Sequence, residues 1–169
     1  KLNTAYLYGE QRREAGGLDL ASSAISEVLG QPVHYALALD FAGFTQAIDL
    51  VGGVDIDVQA VLDDKLYPIP GKETAEPESD RYEHLFFDLG MTHMDGATAL
   101  KFARSRHAEG DEGTDFARSR RQQQIIQAFQ DKLLSSNTFL SLDTLQALLA
   151  SFRSSLETNI QDDEFGGLL

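Results

Sequence analysis

The chain is 169 residues long, has no cysteine and carries a formal net charge of −13. That length suits one domain with a real core, and the lack of cysteine excludes disulfides and thiolate metal sites. The negative field opposes nucleic acid and anionic membrane surfaces, and no stretch reaches the ~18 apolar residues that a membrane helix needs.

The first predicted element is a helix in LDLASSAISEVLGQP. Asp19 is its candidate N-cap, Leu20, Ala24, Ile25 and Val28 form one face, and Gly30 stops it before Pro32. VHYALAL, residues 33–39, reads as a short buried strand. DFAGFTQAIDLVGG gives a second helix, capped by Asp40 and stopped at Gly52. In VDIDVQ, Val54, Ile56 and Val58 alternate with Asp55 and Asp57, the two-residue period of a half-buried strand. Residues 63–82 hold three of the four prolines and six acidic side chains, and predict a long exposed loop.

HLFFDLG is extended and apolar again, and Asp95 caps a helix in MDGATALKFARSR. The longest helix starts near Thr114 or Asp115 in GTDFARSRRQQQIIQAFQDKLLSS. A last one, in LSLDTLQALLASFRSSL, puts Leu142, Leu145, Leu148, Leu149 and Phe152 on a core-facing stripe. Alternating helices and strands predict α/β layering around a sheet, with no repeat and no linker that splits residues 1–169 into two domains.

The informative region is KFARSRHAEGDEGTDFARSRRQQQ. Arg104, Arg106, Arg118, Arg120 and Arg121 crowd together here in an acidic chain, interleaved with Glu109, Asp111, Glu112 and Asp115. Helical spacing puts Arg118, Arg121, Gln122, Ile125 and Phe129 on one stripe, cationic at its start and apolar beyond. Cations near a helix N-terminus oppose the helix dipole, at a cost of roughly 0.3–1 kcal/mol each. An anion held there by backbone N–H groups and forked guanidinium donors would reverse that cost, and phosphate suits arginine best. The competing reading is a solvated surface on which Asp111, Glu112 and Asp115 pair with the arginines for little gain. Spacing alone leaves both readings open.

Other constellations are poor. His34, His84, His93 and His107 have neither zinc-site spacing nor a carboxylate partner pattern, and read as ordinary strand or loop residues. No G-x-S-x-G elbow is present, and Ser22–Ser23 and Ser154–Ser155 read as helix-surface residues. Gly52–Gly53 lacks the following Lys-Ser/Thr of a phosphate loop and is a helix stop. The Phe41, Phe44 and Ile48 stripe reads as core on spacing alone.

Four blocks in order carry a resemblance: KLNTAYLYGE, DFAGFTQAIDLVGGVDIDV, LGMTHMDGATALKFARSR and DFARSRRQQQIIQAFQDK. Together they resemble the LytR-CpsA-Psr family from residue 1 to about residue 135, and the TNI at 158–160 resembles its tail. The resemblance implies a central mixed sheet flanked by helices, a three-layer α/β/α fold. It implies a phosphotransferase outside the cytoplasmic membrane that moves a wall polymer from a polyprenyl pyrophosphate to peptidoglycan. The polymer would be of teichoic acid, capsule or arabinogalactan type, and the lipid would lie in an apolar tunnel. Mg2+ or Mn2+ would serve as cofactor, through ligands that these blocks do not reveal.

Residues matching the family's motif are Arg104 and Arg106 in ARSR, and Asp115, Arg118, Arg121 and Gln122 in DFARSRRQ; Arg120 falls at a variable position. The resemblance implies pyrophosphate binding by Arg104, Arg106, Arg118, Arg121, Gln122 and Lys1, and catalytic roles for Arg118, Arg121 and Asp115. Asn3 and Tyr6 match the KLNTAY block beside Lys1. The family's domain begins earlier than that block, with a membrane anchor and with strands bearing an acidic metal site and an Arg-Asp pair. The expectation is therefore a domain incomplete at its N-terminus, anchored only through a segment outside this sequence. Two other readings compete: a non-catalytic module that binds polyprenyl phosphate or wall polymer, and a transcriptional attenuator or regulator. The net charge weighs against nucleic acid as a partner.

Overall fold

The computed structural model describes residues 2–13, 16–135 and 155–160. These fall into two compact units, one comprising the described residues up to Gly43 with 155–160, the other running from Phe44 to Ser135.

In the first unit, helices α1 (Leu2–Arg12) and α2 (Gly16–Leu29) pack backbone to backbone. A Cβ on Gly9 would lie 2.2 Å from the Gly16 carbonyl oxygen, so only glycine allows this approach. Helix α2 spans Gly16–Leu29 and so includes the turn before the expected cap. Asp19 sits instead within its first turn and pairs with Arg13. Leu20, Ala24 and Ile25 are half-buried as the helical face requires, whereas Val28 is exposed.

The buried strand expected at 33–39 is a correction. Only Leu37–Leu39 forms a strand, β1, and Leu37 and Leu39 are exposed. It pairs antiparallel with β6 (Leu156–Thr158), Leu37 opposite Thr158. Residues 34–36 are held by a side chain: Asn159 Oδ1 accepts from the Ala36 N–H at 2.8 Å, and its Nδ2 donates to the His34 carbonyl at 2.8 Å. The helix expected over 140–156 lies outside the described residues except at its end, where Ser155 forms a turn and Leu156 enters β6.

Helix α3 (Phe41–Leu50) is capped as its sequence predicts, Asp40 Oδ1 accepting from the Gly43 N–H at 2.7 Å. It ends at Gly52 and Gly53, both with positive φ (79° and 81°). A Cβ at Gly53 would come within 2.6 Å of the His93 ring.

The second unit holds the hydrophobic core. Strand β2 (Val54–Val58) pairs antiparallel with β5 (Gly90–Met94), Val54 opposite Met94. Val54, Ile56 and Val58 face inward as the alternation predicts. Strand β3 (Leu62–Pro68) pairs antiparallel with β4 (Tyr82–Phe87), Leu62 opposite Phe87, with a bulge between Asp64 and Tyr67. Helices α4 (Gly96–Arg104) and α5 (Asp115–Ser135) add Ala99, Phe102, Ala103 and Ile125 to this core. Each fully buried aliphatic or aromatic side chain contributes roughly 1.5–3 kcal/mol. Asp95 caps α4 by accepting from the Thr98 N–H at 2.8 Å. The α/β class holds, and its strands pair as three two-stranded antiparallel ladders among the described residues, in place of one hydrogen-bonded mixed sheet.

The loop expected over 63–82 is corrected at its start. Residues 63–68 belong to β3, and Asp64 is fully buried in a position where hydropathy places a surface residue. The excursion proper is 69–81, closed by the Ile69 N–H on the Arg81 carbonyl at 2.8 Å.

Candidate functional site

The arginines gather where α4 ends and α5 begins. Between these helices the chain runs through Ser105–Ala108 and a 3-10 turn, Gly110–Gly113. Thr114 caps α5: its Oγ1 accepts from the Ala117 N–H at 3.2 Å and donates to the Asp111 carbonyl at 2.8 Å. The predicted stripe is realised along α5, with Arg121 and Ile125 buried and Arg118 and Phe129 half-buried; Gln122 is exposed.

Arg121 is the pivot of the junction. It is 1% exposed. Its Nε donates to the Phe102 carbonyl at 3.0 Å, Nη1 to the Glu112 carbonyl at 2.9 Å and to Glu112 Oε2 at 2.8 Å, and Nη2 to the Ser105 carbonyl at 2.8 Å. Its guanidinium also lies over the Phe102 ring, 5.8 Å from the centroid. Burial pulls this guanidinium below its ordinary pKa and Glu112 draws it back up; arginine so paired stays charged. The expectation that Arg121 meets a pyrophosphate directly is therefore corrected. Four of its N–H donors are committed to the end of α4, the 3-10 turn and the Glu112 carboxylate, where they satisfy carbonyls that a helix end leaves open.

The remaining cations stand nearer the surface. Arg118, with its side chain 26% exposed, pairs at 2.7 Å with Asp115, which is 80% exposed. Arg120 pairs with Glu112, whose carboxylate thus bridges Arg120 and Arg121. The surface pairing weighed from sequence is accordingly found at Asp115, while Glu112 works from a buried position. Arg104 is half-buried at the end of α4, close enough to Tyr67 for its charge to offset part of the rise that burial imposes on that phenol. Arg106 is exposed. Gln122 Nε2 donates to the Ala103 carbonyl at 3.4 Å, a long bond that leaves its amide able to turn outward. The structure thus brings Arg104, Arg106, Arg118 and Gln122 to one helix junction. Lys1 lies outside the described residues, and Tyr6 donates to Glu157 at 2.5 Å within the first unit.

Three residues that sequence reasoning missed or misplaced organise this junction. Asp64 accepts from Ser105 Oγ at 2.6 Å and from the His107 N–H at 3.2 Å through Oδ2, and from the Leu66 N–H at 3.0 Å through Oδ1. Ser105 is itself fully buried. No local signal separates Asp64 from Asp63, its neighbour in an acidic stretch, or Glu112 from the acids around it. Two histidines judged partnerless do face carboxylates: His84 lies 2.7 Å from Asp63, and His93 lies 2.7 Å from Asp55. Both sites are exposed. Among the described residues, no three His, Cys, Asp or Glu side chains converge to hold a metal ion, and no helix is long and apolar enough to cross a membrane.

A model of the LytR_cpsA_psr family matches residues 1–168. The polyisoprenyl-teichoic acid–peptidoglycan teichoic acid transferase TagV of Bacillus subtilis (strain 168) is 30% identical over 164 residues, which make up 97% of this chain and 36% of that protein. The crystal structure of B. subtilis TagV has a TM-score of 0.65 at 28% identity, covering 99% of this chain and 54% of that one. TagT bound to LIIa-WTA has a TM-score of 0.65 at 25% identity, covering 99% of this chain and 53% of that one. The chain thus spans little more than a third of the transferase's own length.

Proposed function

Because the chain belongs to the LytR-CpsA-Psr family, we propose that it supplies the anion-holding part of a phosphotransferase that ligates polyprenyl-pyrophosphate-linked wall polymers to peptidoglycan. The polymer class is the one named for the relatives, teichoic acid, or on this reading a related capsule or arabinogalactan type, with the reaction at the outer face of the bacterial cytoplasmic membrane. One observation carries this reading: the arginine-bearing end of α4 is fastened to the first turns of α5 by the buried Arg121, so that Arg104, Arg106 and Arg118 belong to one rigid junction.

In the proposed reaction, Arg104, Arg106 and Arg118 hold the pyrophosphate, with Gln122 as a neutral donor. An acceptor hydroxyl of peptidoglycan attacks the phosphorus that bears the polymer. A new P–O bond forms, the bridging P–O bond breaks, and polyprenyl phosphate leaves with the electron pair. Fixed guanidinium groups stabilise the charge that develops on that leaving phosphate, and being preorganised they do so without reorienting solvent. The hydroxyl proton requires a base. Asp64 and Glu112 are committed to scaffolding, whereas Asp115, exposed and released when Arg118 takes the phosphate, is the carboxylate left for that catalytic role. Mg2+ or Mn2+ demands several oxygen ligands. Among the described residues, no three His, Cys, Asp or Glu side chains converge to provide them.

Titration with a polyprenyl pyrophosphate, with and without Mg2+, tests the reading by following binding and phosphate release together. Binding that vanishes in Arg118→Ala supports the site. Binding without release selects the non-catalytic module instead, and wild-type affinity in Arg118→Ala removes the assignment.

A further inference from the structure

We propose that Asp64 is a positioning residue for the anion site: from within the core, one carboxylate oxygen grips both neighbours of Arg106 and so sets the direction in which Arg104 and Arg106 present their charge. The proposal rests on the pyrophosphate reading of that site and names what gives it diphosphate selectivity.

The geometry is unusual for a core aspartate. Asp64 is fully buried, and no cation among the described residues pairs with it; its partners are a hydroxyl and two backbone N–H groups. Burying a carboxylate without a counter-ion is costly, and a surface strand could bury valine there at a gain. What the carboxylate accomplishes is local. Oδ2 takes the Ser105 hydroxyl at 2.6 Å and the His107 N–H at 3.2 Å, the residues immediately before and after Arg106. Arg121 takes the carbonyl of the same Ser105 at 2.8 Å. The backbone at 105–107 is therefore pinned on its side-chain, amide and carbonyl groups at once, directly after α4 ends.

Ser105 has left the helical conformation, with φ −50° and ψ 131°, so the direction of Arg106 is fixed by these bonds and not by helix geometry. The grip also depends on two acceptor oxygens. Both oxygens of Asp64 accept, Oδ1 from Leu66 and Oδ2 from Ser105 and His107. The isosteric asparagine would turn an N–H2 group toward an N–H or O–H donor on one side or the other.

A monophosphate can be held at the α5 end by Arg118. A second phosphoryl group needs Arg104 and Arg106 held in place. The experiment is a calorimetric titration of the chain with geranylgeranyl pyrophosphate and geranylgeranyl monophosphate, comparing wild type, Ser105→Ala and Arg118→Ala, with melting curves alongside. Ser105→Ala should weaken the diphosphate about tenfold, the scale of one lost charge-assisted contact, while the monophosphate binds as before. Arg118→Ala should weaken both lipids. Parallel loss of both lipids in Ser105→Ala overturns the proposal, because a purely structural role would act that way. Unchanged diphosphate binding in Ser105→Ala, with binding lost in Arg118→Ala, overturns it too and leaves the pyrophosphate site standing. Unchanged binding in both variants, or no binding by wild type, removes the site and the proposal together. If Ser105→Ala does not fold, Ser105→Cys, whose thiol is a weak donor, is read against the same outcomes.

Discussion

Arg118 and Arg121 stand one helical turn apart on α5, each within 2.8 Å of a carboxylate, yet they belong to different layers. Arg121 lies on the floor of the junction, with four hydrogen bonds and no solvent. Arg118 lies at the rim, with one exposed aspartate as partner. The lesson is that burial, not charge or contact distance, decides what an arginine is for. A guanidinium whose donors are taken up by carbonyls is a structural cross-link. One held loosely by a solvated carboxylate can exchange that partner for a phosphate at small cost.

The largest expected effect breaks the floor. Arg121→Ala leaves Glu112 without its buried partner and leaves three carbonyls without donors, so it should cost about 3–5 kcal/mol and lower the melting midpoint steeply. Chemical denaturation of the variant measures this. A stability near wild type would show that the floor is no cross-link at all. The same substitution made at the rim should behave differently. Arg118→Ala should change stability by no more than about 0.5 kcal/mol while reducing affinity for a polyprenyl pyrophosphate at least about tenfold. Equal stability losses in the two variants would erase the distinction between the layers.

Two smaller effects extend the comparison to groups outside the junction. The His93 ring, and after it the Lys132 ammonium, hold Asp55 below the ordinary carboxylate range. A depressed carboxylate adds stability that is present above its unfolded pKa and lost as the pH falls through its folded one. The advantage of wild type over Asp55→Asn should therefore shrink on acidification below that range, and melting curves across acid pH follow it. The advantage itself should be slight, since Asp55 and His93 are exposed and Lys132 is only half-buried. Smaller still is the contribution of Tyr6. Its hydrogen bond to Glu157 comes first among the causes that raise the phenol from 10.0 to about 12. A raised pKa adds stability that is fully present below the unfolded value and lost as the pH rises through the folded one. Wild type and Tyr6→Phe should thus differ by a constant amount up to pH 10 and converge toward 12.

Much of the molecule is legible in the order of its residues. Asp40 and Asp95 cap helices because a short acceptor before an amphipathic run satisfies the N–H groups that every helix leaves open. Gly52 and Gly53 end α3 because the turn there needs positive φ. Val54, Ile56 and Val58 face inward because a strand alternates its sides. The four blocks that resemble the LytR-CpsA-Psr family are likewise readable, as is the crowding of arginine at the α4–α5 junction. Such features depend on residues close in sequence, and local chemistry decides them.

Which arginine faces solvent is not local. Arg121 and Arg118 share a stripe and a motif, and only the packing of α4 against α5 sends one inward to the carbonyls of Phe102, Ser105 and Glu112. Asp64 is 41 residues from the Ser105 hydroxyl that makes its burial tolerable, so hydropathy assigns it to a loop. The short β1 strand follows the same rule: its partner lies more than a hundred residues away, and residues 34–36 are secured by the Asn159 side chain and not by a longer ladder. The sequence by itself determined the helix caps, the inward strand faces and the family. The tertiary structure decided which charges became scaffold, because burying a polar group is tolerated only where distant chain segments bring it partners.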